Sequence, residues 1–222
     1  YKSKATTLYL PEGTDSTLTD GTDYTFSDSY SSAEEEEPNA CLYSKSDLVI
    51  AGSGSLTVNA NYNNGITGKD TLFIQKASVT VTAVNHGING KDSLTIKDAD
   101  ITVTSGGDAL RSANDSDTTL GYLVITGSAL KLTAGEDGIQ AETTLTISGG
   151  TATVTTAGGA GQSISDDTSA KGLKAGTQVT VTGGTLQLNC CDDAIHSNGD
   201  VTISGGSFTI ATGDDGMHAD DT

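Results

Sequence analysis

The hydrophobic and polar positions of this chain follow one pattern that returns about every 22 residues. A small residue and an aliphatic one are followed by a polar gap, an aliphatic-polar-aliphatic triplet, a turn and a second such triplet. The segments NGITGKDTLFIQKASVTVTAVN from Asn64, HGINGKDSLTIKDADITVTSGG from His86, KGLKAGTQVTVTGGTLQLNCCD from Lys171 and DAIHSNGDVTISGGSFTIATGD from Asp193 are four copies of it. Alternation with a period of two over such short runs predicts strands with one buried face, and helical periodicity is missing. A fixed period of this size means stacked units that bury their apolar faces on one another, so function is to be sought in rows that cross the repeats.

Three ladders follow. The first is the small residue, Gly65, Gly87, Ala109, Gly138, Gly172, Ala194 and Gly216, with its aliphatic neighbour, Ile66, Ile88, Leu110, Ile139, Leu173, Ile195 and Met217. The second runs from Leu72/Ile74 to Val201/Ile203 and the third from Val79/Val81 to Phe208/Ile210, with tight corners such as Gly149-Gly150 and Gly183-Gly184 between them. Three short strands per repeat predict an all-β fold, one turn of a parallel β-helix (solenoid) per repeat, over residues 40–222. Residues 1–39 are expected to be an irregular N-terminal coil or cap, and repeats are expected to continue beyond Thr222. Glu34 to Glu37 reads as a solvated loop, and Tyr24 and Phe26 as part of the cap. Two repeats carry insertions, one after Leu110 with Asn114-Asp115-Ser116-Asp117 and one before Lys171 with Asp166-Asp167. Both are expected beside the same corner, where long loops commonly bind.

Composition narrows the partners. Only 34% of the residues are hydrophobic and Trp is absent, which fits a thin core of aliphatic ladders. The formal charge of −18 argues against nucleic acid and anionic membranes as partners and permits cations. No apolar stretch is long enough for a membrane helix. The three cysteines make no disulfide framework; Cys190 and Cys191 read as small fillers near a corner.

The two residues ahead of each small-aliphatic pair should fall in one column. They are Asn63-Asn64, Asn85-His86, Gly107-Asp108, Glu136-Asp137, Ala170-Lys171, Asp192-Asp193 and Asp214-Asp215. Carboxylates about 4.8 Å apart repel by roughly 1 kcal/mol in water and about 3.5 at an effective permittivity near 20. Raised pKa values or a bound cation would relieve this. Asp108, Glu136, Asp137, Asp192, Asp193, Asp214 and Asp215 are therefore the candidate metal ligands, and hard oxygens favour Ca²⁺. Each such Asp can equally cap a turn through the backbone. Lys171 interrupts the acids, either as a salt-bridging spacer or as a base.

The residue after each aliphatic should point outward, which makes a stripe of Thr67, Asn89, Arg111, Gln140, Lys174, His196 and His218. Such donors suit the hydroxyls and carboxylates of a sugar chain. Arg111, Gln140, Lys171, Lys174, His196 and His218 are the candidate carbohydrate-binding residues.

The steps DGIQAETTLTISGG and DAIHSNGDVTISGG resemble those of the bacterial carbohydrate-binding domain-containing β-helix family. The resemblance spans about Ala40 to the C-terminus. It implies a secreted or surface-attached, right-handed parallel β-helix of pectate-lyase-like topology. It further implies Ca²⁺ at the acidic corner, at Asp108, Asp137, Asp193 and Asp215 with their neighbours, and binding of plant cell-wall polysaccharide. Asn63, Asn64 and His86 depart from the pattern. The expected function is non-catalytic, calcium-dependent binding of acidic glycan such as polygalacturonate, with cellulose a further option, by a monomer outside the cell. A calcium-dependent lyase using Lys171, Lys174 or Arg111 as base is the first alternative. An adhesin or ice-binding solenoid, suggested by Thr ladders such as Thr80 and Thr82, is the second. Without Trp, only Tyr43, Tyr62 and Tyr122 are available as platforms for sugar rings.

Overall fold

In the strand Ser78–Ala83, Val79, Val81 and Ala83 are buried while Ser78, Thr80 and Thr82 are exposed. That alternation forces the strand to lie with one face on a core, and its neighbours obey the same rule. Val79 pairs in parallel register with Leu56 on one side and Ile101 on the other. The same residue type therefore recurs at the same height, aliphatic on aliphatic and Thr on Thr.

A computed structural model describes residues 4–24, 31–32, 35–36, 38–165 and 167–221; Phe26, Glu34, Glu37 and Asp166 lie outside them. The described residues form strands and turns, with no helix. Apart from the pair Ser31–Ser32 and Glu35–Glu36, each described strand pairs in parallel with its counterpart one repeat away. The short strands, from Ala40–Ser44 through Asn64–Gly68, Ile88–Gly90, Leu110–Ser112, Ile139–Ala141, Leu173–Ala175 and Ile195–Ser197 to His218–Ala219, make an eight-stranded sheet. The second and third ladders join into a fourteen-stranded sheet. They fuse because Thr144–Thr156 and Gln178–Cys190 run through the corner as 13-residue strands with a register irregularity at the bend. Gly149 and Gly150 take φ values of 79° and 84° there, which lets the backbone turn without leaving the ladder. One apolar cluster takes Ile66, Ile74 and Val81 from the three ladders, so all three face a common core.

The small residue of the first ladder is set by close approach. A Cβ on Gly65 would stand 2.3 Å from Val81 Cγ1 and 2.5 Å from the Gly87 carbonyl oxygen. The three cysteines are free, with Cys190 and Cys191 buried.

Two expectations about the N-terminal part are corrected. Residues 1–39 are not wholly irregular: Ala5–Leu10 pairs in parallel with Asp47–Gly52, and Asp15–Thr19 with Ser55–Ala60. Leu10 is buried and Leu8 and Leu18 pack on the core, so this segment supplies the second and third strands of one more repeat. The glutamate run is not simply a loop, since Glu35–Glu36 pairs antiparallel with Ser31–Ser32. Tyr24 stacks on Tyr62 with ring centroids 4.1 Å apart and donates to Asp20 at 2.7 Å.

Candidate functional site

Each repeat enters its short strand through a polar residue that caps the next repeat. Asn64 Oδ1 accepts the N–H of His86 at 3.1 Å. Asp108 Oδ1 accepts that of Asp137 at 3.0 Å, Asp137 Oδ1 that of Lys171 at 2.8 Å, and Asp193 Oδ1 that of Asp215 at 3.0 Å. His86 Nδ1 stands 3.0 Å from the N–H of Asp108. Short side chains with an acceptor atom are needed here because the corner leaves that N–H outside any strand pairing. Lys171 has no acceptor and breaks the chain of caps. The residue ahead of the break turns inward instead, with Asp192 Oδ1 accepting the N–H of Asp193 at 2.8 Å.

The acids therefore do stand in one file, but their repulsion is not left open. The second carboxylate oxygen of each buried member faces the basic stripe. Arg111 lies 3.6 Å from Asp108 Oδ2, Lys174 lies 3.0 Å from Asp137 Oδ2, and His196 lies 3.0 Å from Asp193 Oδ2. Lys171 Nζ is 2.5 Å from Asp192 and 3.5 Å from Asp193. The stripe is the counter-charge of the column, a role that spacing alone did not disclose. Asp108, Asp137 and Asp193 are buried, Asp192 is half-buried, and Glu136, Asp214 and Asp215 are exposed.

Burial, reinforced by Asp137, pushes the Asp108 carboxyl up to about 7 although Arg111 opposes it. Burial, with Arg111 beside it, draws His86 down to about 4. Burial pulls the Lys171 ammonium down, but its hydrogen bond to Asp192 and the charges of Asp192, Asp193 and Asp137 reverse that, so its pKa rises.

The outward stripe is in register. Thr67 pairs with Asn89, Asn89 with Arg111, Arg111 with Gln140, Gln140 with Lys174, Lys174 with His196 and His196 with His218. At its N-terminal half lies an open groove of 510 Å³, floored by Thr67, Asn89 and Arg111. Lys69 and Lys91 stand on one side, and Tyr62 with Asn39 and Asn63–Asn64 on the other. Its lining holds three cations and no acid, in a chain of charge −18. Thr67 Oγ1, Asn89 Oδ1, Asn39 Oδ1 and Arg111 Nε are buried atoms without a hydrogen-bond partner. Each such atom costs about 1–3 kcal/mol until something fills it. The sequence reading did not single out Lys69, Lys91, Asn39, Asn63 and Asn64 as lining a groove, because acids were sought in the early repeats. A signal was present: lysine recurs at the same step in NGITGKD and HGINGKD.

A second depression of 280 Å³ adjoins the first at Arg111 and includes Gln140, Lys174, Glu136 and Asp167. The second insertion walls it: Ser169 Oγ donates to Asp137 at 2.7 Å. The first insertion does not emerge at this corner. Asn114 donates to Asp92 at 2.6 Å and Gly121 donates to the Asp92 carbonyl at 2.7 Å, which places that loop at the opposite end of the short strand.

Among the described residues three clusters bring metal-ligating atoms together: His86/Asp108/Glu136, Asp192/Asp193/Asp214 and Asp193/His196/His218. The first does not suit Ca²⁺, because it contains an imidazole and Arg111 stands against Asp108. Asp137 does not suit it either. Its two oxygens are already engaged by Ser169, the Lys171 N–H and Lys174. The second cluster offers oxygen alone and fits Ca²⁺ once Lys171 withdraws.

The described residues thus make an all-β protein of parallel ladders with a polar, groove-bearing face. A solved polysaccharide lyase-like protein from C. thermocellum, determined as a gadolinium derivative, superposes with a TM-score of 0.65 at 37% identity, covering 69% of this chain and 60% of that one. The chain belongs to the carbohydrate-binding domain-containing protein family, whose model matches residues 1–216. A carbohydrate-binding domain-containing protein of Acetivibrio thermocellus is 51% identical over 138 residues, 62% of this chain. The chain spans 47% of that relative's length.

Proposed function

We propose that this chain is a non-catalytic carbohydrate-binding module for an acidic polysaccharide. The observation that carries this is the cation-lined groove of Lys69, Lys91 and Arg111 with unpartnered polar atoms in its floor. A uronate carboxylate placed there would meet Arg111 as a fork and the lysines as point charges. Its hydroxyls would meet Asn89, Thr67 and Asn39, with Tyr62 as the apolar wall. The chain of sugars would continue along Gln140, Lys174, His196 and His218. We take the backbone to wind as a right-handed parallel β-helix, the hand that parallel crossovers overwhelmingly adopt. The protein would work as a monomer outside the cell, where cell-wall glycans are found.

Calcium enters this reading at the C-terminal acids. Asp192, Asp193 and Asp214 would hold it, and the ion would supply a positive anchor for a second uronate.

The lyase alternative receives support from the neighbour's description. It is disfavoured by the bases on hand. Lys171 is held charged between Asp192 and Asp193, Lys174 is paired with Asp137, and a guanidinium stays protonated near neutral pH.

The test is retention on immobilised polygalacturonate and on cellulose, with and without Ca²⁺, for the wild type, Arg111→Ala and Lys91→Ala. The acidic polymer should retain the wild type in a salt-sensitive manner, each variant should elute earlier, and no unsaturated product should absorb in the ultraviolet. Equal retention of wild type and Arg111→Ala would remove the groove as the binding site, and product formation would turn the module into a lyase.

A further inference from the structure

At the C-terminal end of the outward stripe, His196 and His218 stand in adjacent repeats with ring centroids 4.9 Å apart, one edge-on to the other. His196 Nδ1 is 3.0 Å from Asp193 Oδ2, and His218 Nδ1 is 3.6 Å from the same oxygen. Asp215 Oδ2 is 3.7 Å from His218 Nδ1. Asp193 is buried, so its charge is not left to water.

The far side of each ring decides what belongs between them. His196 Nε2 lies 3.1 Å from Asn198 Oδ1, and His218 Nε2 lies 3.2 Å from Asp220 Oδ1. A carboxylate only accepts: Asp220 is satisfied by the tautomer with the His218 proton on Nε2, Asp193 and Asp215 by the other, and a cation on the Nδ1 side selects the first. The amide oxygen of Asn198 asks the same of His196. A neutral imidazole has one N–H. Both Nδ1 lone pairs then point at Asp193 Oδ2, lone pair against lone pair. Such an arrangement calls for a cation at its centre. An acceptor on the outer nitrogen is also what metal-bound imidazoles have, because it fixes the tautomer and aims the other lone pair.

We propose that Asp193 Oδ2, His196 Nδ1 and His218 Nδ1, with Asp215 as a fourth ligand, bind a divalent transition metal of the zinc type. Ligand atoms on a tetrahedral Zn²⁺ are about 3.3 Å from one another, given bond lengths near 2.0–2.1 Å. The separations of 3.0 and 3.6 Å bracket that edge for the three gathered ligands, and exposed Asp215, 3.7 Å from His218 Nδ1, would swing in to complete the set. Two imidazoles and two carboxylates select Zn²⁺, Co²⁺, Ni²⁺ or Cu²⁺ and reject Ca²⁺, which takes six to eight oxygens. Two carboxylates also balance the charge of the ion. Lys171, 3.5 Å from Asp193, rests closer to Asp192, at 2.5 Å, and has a partner to keep when the metal arrives. The site shares Asp193 with the oxygen cluster of Asp192 and Asp214, so the two ions would exclude one another, but it uses none of the groove around Arg111 and stands or falls apart from glycan binding there.

The experiment uses the whole chain, stripped with chelator and titrated with Zn²⁺ by calorimetry without added Ca²⁺. One equivalent of Zn²⁺ should bind and raise the melting temperature. Co²⁺ should give the visible d–d bands of a low-coordinate nitrogen-oxygen site. His196→Ala and His218→Ala should each weaken Zn²⁺ binding by more than about tenfold, and Asp220→Asn by up to about tenfold through the outer hydrogen bond. His218 is largely exposed, so His218→Ala keeps the fold, and far-ultraviolet dichroism confirms it. Arg111→Ala should titrate as wild type. Absence of Zn²⁺ binding to the chelator-stripped chain would overturn the proposal. So would wild-type Zn²⁺ affinity in His218→Ala, or nitrogen-15 shifts showing both rings doubly protonated at neutral pH with Zn²⁺ present.

Discussion

Asp137 and Lys171 are separated by 34 positions in the chain and joined by a 2.8 Å hydrogen bond from the Lys171 N–H to Asp137 Oδ1. The long insertion between them leaves the stack and returns in register, so the cap that Asp108 gives to Asp137 is repeated one level on. Stacking, and not proximity in sequence, brings the charges of the site together.

Both oxygens of buried Asp137 are engaged, and its removal should be damaging. Asp137→Ala deprives Ser169, the Lys171 N–H and Lys174 of their acceptor at a buried position. Leaving such partners stranded costs about 3 kcal/mol. Chemical denaturation should show a loss of that size with an unchanged slope. Asp137→Asn, which keeps one acceptor oxygen, should lose markedly less.

Neighbouring glycines in the fused strand should respond differently. A Cβ on Gly149 meets nothing within 4 Å, so Gly149→Ala suffers only from its φ of 79°. A Cβ on Gly150 would stand 2.1 Å from the Ser128 carbonyl oxygen, and its φ is 84°. Gly149→Ala should cost about 1 kcal/mol and Gly150→Ala at least about 2–3, read from thermal or urea melts. Equal losses would mean that the corner relaxes freely.

The period of the sequence was enough to give the ladders, their register and the direction of each side chain, because period-two burial admits one solution once repeats stack. Gly65, Ile66 and Thr67 pair with Gly87, Ile88 and Asn89 as the spacing requires. The N-terminal strands escaped because Ala5–Leu10 and Asp15–Thr19 carry few aliphatics and pair with strands about 40 positions on. The acid column was legible, but its compensation was not. Arg111 and His196 lie three residues from the acids they face, while Lys174 meets Asp137 from the next repeat. The groove was hidden for another reason: it is made of amides, a hydroxyl and lysines from four repeats, none distinctive alone.

His86 and Asp108, in contact at 3.3 Å, should give the protein opposed responses to acid. The folded-state pKa of Asp108 is raised to about 7, so its contribution is full below the ordinary carboxylate range and is lost as pH rises toward 7. The folded-state pKa of His86 is lowered to about 4, so the unfolded chain takes up a proton first and stability is lost as pH falls from about 6.5 to about 4. Between those limits the two slopes oppose. Asp108→Asn should therefore make the melting temperature fall more steeply than wild type from pH 6.5 to 4.5, and His86→Gln should make it fall less. Parallel pH profiles for all three proteins would show that these groups titrate alike in both states.

Lys171 is where calcium, as proposed, would compete with the protein's own charge. Its ammonium sits 2.5 Å from Asp192 and 3.5 Å from Asp193, and the third member of the oxygen cluster, Asp214, is exposed. Lys171→Met keeps the aliphatic stem and removes the charge, which leaves the two acids facing each other. Without Ca²⁺ the variant should melt below the wild type. With Ca²⁺ its gain should exceed that of the wild type, because the ion no longer has to displace an ammonium, and binding at about 100 times Kd adds about 2.7 kcal/mol. Adding Asp214→Ala to Lys171→Met should shrink that gain, since it takes away one of the three oxygen ligands. If Ca²⁺ stabilises wild type and Lys171→Met equally, the ion does not sit among Asp192, Asp193 and Asp214.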